Sequence, residues 1–449
     1  MSDKMNDYDV IGIGFGPANI AVAIAMEEMN LPLRVKFLES ESASIWQKGM
    51  LIENSDVQNH PLRDLVTPRN PRSRFSFVNY LFENGRLFEY LNLGMTFPYR
   101  IEYAQYIEWT AAHFNQLVSY NTPVARIEMI ADKQDRGQGY RLMTEKGVEY
   151  TARSIIVGTG RTPFIPKLFQ NLTSPAICHI SRYLESMHAV LPVNPRARIA
   201  VIGSSQSAVE VILHLSDHYP DAQITGIMRS FGYRLKDTSP FTGEVYFPEF
   251  VDLFYNAGPQ EKNRLAKDLY YTNYSSVDGD VLDRLYRKIY MQKITKGRTI
   301  HLHRAADILE VTAGDKEITL LTRKMESSEV LKEKFDLVIL ATGFKNIGAN
   351  ENEESCPAIL QNLLTYLERD QNGCIKVEYN YGMKMNDKTN ADAYCFLNGL
   401  CESTHGMGDA GSFSLLSLRA KIIVETLLSK GAQQPATPFH VHEKATIFQ

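Results

Sequence analysis

Short apolar runs separated by stretches of helical period recur along this chain, and the first such unit sets the reading of the rest. Asp9 to Ile13 is a β-branched run of the kind that a parallel strand buried on both faces prefers. Gly14-Phe15-Gly16-Pro17-Ala18-Asn19 follows, then residues of helical period, then Arg34-Val35-Lys36-Phe37-Leu38 closed by Glu39. That order predicts a dinucleotide-binding unit from Tyr8 to Glu39. Gly14 permits the tight turn, while Gly16 and Pro17 open the helix so that backbone can approach a pyrophosphate at its N-terminus. Glu39 is spaced to accept hydrogen bonds from a ribose diol. Asn19 stands where the fingerprint has its third glycine, which predicts either a wider gap between helix and strand or an amide that faces the ligand.

The same pattern returns further along. Ser154-Ile155-Ile156-Val157-Gly158-Thr159-Gly160 reads as a buried strand closed by a glycine turn, and Phe335-Asp336-Leu337-Val338-Ile339-Leu340-Ala341-Thr342-Gly343 repeats it. Between them lies a second unit, in which Arg198 to Ile202 leads into Gly203, with Ser205 at the place of the second glycine and Gln206, Ser207 and Ala208 opening the helix. Its second strand ends at Arg229 and Ser230, where the first unit has Glu39. A cation there can pair with a 2′-phosphate, which favours NADP(H) over NAD(H), and Arg234 and Lys236 are further candidates. The fold class expected is α/β with two Rossmann-like domains, one inserted in the other. The first covers residues 1–190 and 335–430, the second 191–334, and a polar tail 431–449. Two nucleotide sites imply electron transfer between two carriers.

The intervening stretches are less regular. Three prolines make residues 57–74 a poor helix and a poor strand, yet Leu62, Leu65 and Val66 are available for burial. Such a loop is either a functional one held by apolar anchors or a surface connection with solvated arginines. Residues 99–117 read as an amphipathic helix with Tyr103, Tyr106, Ile107 and Thr110 toward the core, and 122–150 as an antiparallel excursion. Residues 237–295 are aromatic and helical, fit to form a substrate wall or an oligomer surface.

Composition narrows the classes. At 449 residues the chain is too long for one core, and its 44% hydrophobic and 22% charged content is that of a soluble globular protein. A net charge of −4 provides no field for nucleic acid, and no apolar run is long enough to span a bilayer. Five cysteines without a C-x-x-C argue against a disulfide framework, a zinc knuckle or a dithiol centre and fit a reducing cytoplasm.

Several strings together resemble the N-hydroxylating flavin monooxygenases of siderophore biosynthesis, the ornithine and lysine N-hydroxylases. They are Gly14 to Asn19, Trp46 with Gly49-Met50, Gln58 with Asp64-Leu65-Val66, Phe75 to Leu81, Gln206 to Glu210, Asp237 to Phe241, Asn273-Tyr274-Ser275, Ala341 to Phe344 and Thr404-His405-Gly406. The resemblance implies FAD at the first turn, NADPH at the second, and a homotetramer. It implies that NADPH reduces FAD, that the reduced flavin takes up O₂ as a hydroperoxide, and that a neutral primary amine attacks the distal oxygen to give a hydroxylamine. Gln58 would lie near the flavin, with Trp46, Thr342, Gly343, Ser412, Ser414 and Leu415 among the cofactor contacts. The substrate would lie against Arg63, Gly243, Asn273, Ser275 and Phe413. No metal is implied.

Three departures bear on the substrate. Amino-acid hydroxylases of the family typically have Lys at the position of Arg63 and Asn at that of Gly243, groups that hold the carboxylate and α-amine. The loop Gly411-Ser412-Phe413-Ser414 also carries what looks like one extra residue where the family reads Leu-Leu-Ser. A site so altered favours an amine without a carboxylate, and within the family that points to the histamine N-hydroxylases of acinetobactin-type siderophores. Ornithine, lysine, putrescine and cadaverine remain as alternatives, and a non-catalytic flavoprotein is the alternative of a different class, should Ser205 block NADPH.

Overall fold

Val10, Ile11 and Ile13 are sealed on both faces because Tyr8–Ile13 lies mid-sheet, with Val35–Leu38 parallel on one side and Glu149–Val157 parallel on the other. A computed structural model describes residues 7–131, 137–295, 297, 299–314, 317–325, 329–387, 389, 393–409 and 411–429. The tail expected over 431–449 lies outside them. In the first sheet Val118–Ser119 extends the edge beyond Val35–Leu38, and Cys395–Leu397 runs parallel beside Ile155–Val157. Val124–Ala131, Gly137–Thr144 and Glu149–Val157 form the antiparallel excursion that alternation announced. Helix Pro17–Glu28 makes the first crossover. Proline at its first position is pre-set for the helix, and Asn30 in the left-handed region (φ 52°) stops it. Helix Leu416–Leu428 packs along it, so that Asn19 to Met26 are all buried.

The second sheet is wholly parallel, in the order Ile300–His303, Gln223–Ile227, Arg198–Ile202, Leu337–Leu340 and Ile177–His179. A three-stranded antiparallel sheet, Ala306–Ala313, Ile318–Lys324 and Val330–Phe335, precedes the return. The two Rossmann-like domains are therefore present, but their boundaries move. Residues 335–430 were assigned to the first domain, yet Leu337–Leu340 pairs with Arg198–Ile202, and Ile177–His179 flanks it on the other side. A strand-and-glycine string specifies a buried strand without specifying its neighbour, so both ends of the insert were placed wrongly.

The chain passes between the sheets twice, and the two passages are zipped together. Phe164 N donates to Gly343 O (2.9 Å), Lys345 N to Thr162 O (2.8 Å) and Thr342 Oγ1 to Phe164 O (2.6 Å). Beyond the second sheet, the aromatic and helical excursion comprises Pro248–Asn256, Pro259–Asp268 and Gly279–Thr295, as its pattern predicts.

A buried polar chain ties the last helix to the first turn. Arg419 (1% exposed) donates from Nη1 to Asp409 Oδ1 at 2.8 Å and from Nε to Asn398 Oδ1 at 2.7 Å. Asn398 Nδ2 donates to Asn19 Oδ1 (2.9 Å), whose Nδ2 donates to Gly14 O (2.8 Å). Removing one partner of a buried pair leaves the other charge unsatisfied. Arg419→Met should therefore lower unfolding free energy by about 3–5 kcal/mol, read as a reduced urea midpoint, whereas Lys421→Met, at the exposed pair with Glu425 on the same helix, should change it little.

Candidate active site between two nucleotide turns

Gly14 has φ 82°, and a Cβ there would stand 2.7 Å from Gly158 O, so no other residue fits. A Cβ on Gly16 would meet nothing within 4 Å, leaving an open cradle above the turn. Helix Pro17–Glu28 begins with no side-chain cap and no acid in its first turn, so its free amides and positive dipole end suit a pyrophosphate. Glu39 sits at the lip of the turn, its Oε2 accepting from Phe15 N (2.6 Å) and its Oε1 from Glu41 N (2.9 Å). Asn19 does not face this opening. It is wholly buried, both ends of its amide are used inside the chain, and a Cβ on Gly158 would stand 2.6 Å from its Nδ2. The third glycine of the fingerprint has in effect moved to Gly158, across the strand.

The second turn repeats the logic. Gly203 has φ 145°, and a Cβ would stand 2.3 Å from Ala341 O. Ser205 is the extended first cap of helix Gln206–His218 and makes no side-chain cap, while Ser205 and Ser207 are partly exposed. Arg229 is exposed, no ion pair holds it among the described residues, and the Oγ of Ser230 beside it has no partner. An exposed cation thus stands where a 2′-phosphate is expected, while the unpartnered Ser230 hydroxyl beside it is buried. Gln206, by contrast, is turned inward. Its N donates to Ser276 O (3.0 Å), its Nε2 to Glu210 Oε1 (3.1 Å), and its Oε1 accepts from Asp278 N (2.9 Å). Thr342 and Gly343 serve the paired passages, with His179 Nε2 2.9 Å from Gly343 O.

Between the turns, four separate segments converge. Arg63 Nη1 lies 3.5 Å from Ser414 Oγ, and its guanidinium lies 5.8 Å from the centre of the Tyr246 ring. Gly243 is in the 3₁₀ turn Thr242–Tyr246 that carries Tyr246, and the space a Cβ would fill is empty. Ser412 Oγ accepts from Ser414 N at 3.1 Å. Asn273 is exposed, and Ser275, in the left-handed region at φ 50°, has its Oγ 3.1 Å from Tyr270 OH. Phe413, expected against the substrate, is itself packed into the core. It is buried edge-on against Trp46 (5.3 Å) and Tyr103 (5.0 Å), and Leu415 is buried next to it, so these side chains make an aromatic floor. Tyr103, Tyr106, Ile107 and Thr110 are all fully buried on helix Arg100–Ala112, as expected.

The loop 57–74 is anchored rather than loose. Leu65 and Val66 are buried, although Leu62 is 48% exposed, and buried Asp64 accepts from Phe77 N (2.7 Å), Thr67 N (2.6 Å) and Val66 N (3.0 Å). Desolvation raises the Asp64 carboxyl above its usual range. Gln58, in the same loop, has φ 50°, and its Nε2 donates to Asp278 Oδ2 at 2.6 Å. Reading the sequence missed Asp56, Arg100, Glu210 and Asp278, which lie around Gln58. It also missed Arg161, whose Nη1 is 3.3 Å from Tyr274 OH and whose guanidinium occupies the room left by Gly411, while Tyr274 OH also bonds the partly buried Glu402. No local pattern marks such residues as a group, because the bonds that join Gln58 to Asp278, Arg100 to Glu210 and Arg161 to Tyr274 span more than a hundred residues each.

Residues 6–346 match the family described as L-lysine 6-monooxygenase/L-ornithine 5-monooxygenase. The chain belongs to this family. The L-ornithine N(5)-monooxygenase of Pseudomonas aeruginosa is 36% identical over 430 residues, which cover 94% of this chain and 93% of that protein. The Burkholderia cepacia L-ornithine N(5)-monooxygenase is 32% identical over 441 residues, 96% of each chain. Among solved structures, the ornithine hydroxylase of P. aeruginosa superposes with a TM-score of 0.84 at 34% identity, over 94% of this chain and 98% of that one. The Kutzneria sp. 744 ornithine N-hydroxylase, solved with reduced FAD, NADP⁺ and L-ornithine, gives 0.86 at 29% identity over 94% and 99%. This chain is accordingly an N-hydroxylating flavin monooxygenase that uses FAD and NADPH, and the two open turns fit two such carriers.

Two predictions follow from the turns and the loop. Gly14→Ala should abolish FAD retention, seen as loss of the flavin absorbance relative to protein absorbance, because the methyl and the Gly158 carbonyl cannot share the space. Burial, aided by Asp278 and Glu210, raises Asp56 to about 6, against the backbone hydrogen bond from Gln58 and the charge of Arg100. A folded-state value above the unfolded one means that the folded form binds the proton more tightly, so stability from this group falls as pH rises from about 4 to about 6. Melting temperatures of wild type and Asp56→Asn should therefore diverge across that window, with wild type losing more toward pH 6.

Proposed function

We propose that the first turn holds FAD and the second NADPH, and that the enzyme hydroxylates the nitrogen of a primary amine lacking a carboxylate, with histamine the first compound to test. The observation that carries the substrate reading is the open space at Gly243, in the same short turn as Tyr246, whose ring lies 5.8 Å from the Arg63 guanidinium. A zwitterionic head group would need a hydrogen-bonding side chain there, and glycine has none. FAD, once reduced by NADPH, supplies oxygen activation. The chain's own residues set the stage for it. Gly16 and the helix amides seat the FAD pyrophosphate, Glu39 takes its ribose, and Arg229 with Ser230 takes the 2′-phosphate of NADPH. The aromatic floor of Trp46, Tyr103 and Phe413 excludes water, which keeps the amine neutral and the activated oxygen from being lost as peroxide.

A second reading has its own support. Arg63 is still a cation, and the relatives described above are ornithine enzymes at 32–36% identity, so L-ornithine or L-lysine hydroxylation is the alternative, with putrescine and cadaverine behind it. The product belongs to siderophore assembly on either reading. We further propose a cytoplasmic homotetramer. No helix among the described residues is long and apolar enough to cross a membrane. Exposed Phe82, Phe88, Leu91 and Leu93, in adjoining helices, offer an apolar face for assembly.

The test measures hydroxylamine formed beside NADPH consumed, with each amine supplied separately to the FAD-loaded enzyme. Coupled product with histamine and little with ornithine or lysine is expected, and coupled hydroxylation of an amino acid would overturn the substrate reading. Gly243→Asn should raise kcat/KM for L-ornithine relative to histamine by roughly tenfold. Arg229→Ala should raise KM for NADPH while leaving that for NADH little changed, narrowing the preference by roughly tenfold or more.

A further inference from the structure

Gln58 holds a backbone conformation that residues with a Cβ rarely adopt, so the surrounding structure must impose it. What imposes it is a closed ring of hydrogen bonds. Asp56 Oδ1 accepts from Gln58 N (2.8 Å), and Gln58 Nε2 donates to Asp278 Oδ2 (2.6 Å). Asp278 N donates to Gln206 Oε1 (2.9 Å), and Gln206 Nε2 donates to Glu210 Oε1 (3.1 Å). Glu210 is gripped through both oxygens by Arg100 Nη2 (3.0 and 2.9 Å), and the same nitrogen donates to Asp56 O (3.0 Å), which closes the circuit. Arg100 Nη1 adds a bond to Met50 O at 3.0 Å. Asp56, Gln58 and Arg100 belong to the first domain, while Gln206, Glu210 and Asp278 belong to the second.

We infer that Asp278 is the positioning residue of the site, fixing which end of the Gln58 amide faces the flavin and tying that orientation to the second nucleotide turn. The inference rests on the proposed FAD site and on the expectation, carried by the family resemblance, that Gln58 lies near the flavin. A carboxylate can only accept, so Asp278 takes the Nε2 end and turns the Oε1 acceptor the other way, toward whatever donor the site presents. Gln206 is the first residue of the helix that opens the second turn, and its N and Oε1 are both held by the 276–278 segment. A shift of that helix on binding of the nicotinamide carrier would therefore reach Asp278 directly through Gln206 Oε1, and its neighbour Ser276 through Gln206 N, and pass from Asp278 to the Gln58 amide. Arg100 is the cation within the ring, and it offsets the nearby carboxylates of Glu210 and Asp56.

The experiment compares Asp278→Ala, Asp278→Asn, Gln58→Ala and the Asp278→Ala/Gln58→Ala double variant. Melting temperature and FAD content are measured first, and the change in the flavin absorption envelope on titration with NADP⁺ second. Hydroxylamine per NADPH comes last. Asp278→Ala should keep FAD, lose most of the NADP⁺-induced spectral change, and form roughly tenfold less hydroxylamine per NADPH than wild type, with hydrogen peroxide making up the difference. Asp278→Asn, which still offers an acceptor to Nε2, should restore the greater part, and the double variant should be no worse than either single one. A wild-type spectral response and coupling in Asp278→Ala would overturn the inference. So would equal losses of stability and FAD in the Ala and Asn variants, which mark a merely structural clamp. A wild-type protein that retains no FAD, or whose Gln58→Ala variant behaves as wild type, would instead remove the reading on which the inference stands.

Discussion

A positive charge with almost no contact with water is the feature on which the first nucleotide turn depends. Arg419 can remain ionised in the core because Asp409 neutralises it and Asn398 takes its remaining direction. Asn398 then orients Asn19, and Asn19 grips the carbonyls of Ile13 and Gly14 at the point where strand becomes turn. The shape of a loop near the N-terminus is thus dictated by a helix that ends at Leu428. An ordinary fingerprint uses a third glycine so that helix and strand can approach. Here an amide fills that gap and is hydrogen-bonded in every direction, which a glycine could not be.

The turns themselves were legible because their chemistry is local. Gly14 and Gly203 occupy backbone conformations that demand glycine, and Glu39 and Arg229 follow their strands at a spacing set by one crossover. Helix Arg100–Ala112 and the antiparallel excursion were legible for the same reason, since periodicity is a property of neighbours. What escaped was everything decided by distant partners. Leu337–Leu340 has the apolar content of any buried strand, and only pairing with Arg198–Ile202 assigns it to the second sheet. Gln206 looked like a ligand contact by position, yet Asp278 and Glu210 claim its amide. Position alone offered Phe413 as a substrate contact and said nothing of the edge-on packing against Trp46 and Tyr103 that fixes its ring.

The substrate side combines a rigid base with a sparse rim. Aromatic rings in edge-to-face contact from three segments give the floor little freedom to reshape. Gly243 contributes no side chain and Gly411 makes room for Arg161, so on the proposed reading selectivity rests as much on missing side chains as on present ones. Within one family, such omissions are a direct way to change which amine fits while the two carrier sites stay as they are.

The twin passages between the sheets have a mechanical meaning. A single connecting strand would act as a swivel, letting one domain spin about one covalent bond. Two strands bonded side by side through Phe164, Gly343, Thr162 and Lys345 form a strap, which folds across its width but resists twisting and shear. Any opening between the two sheets would thereby be confined to a bending coordinate.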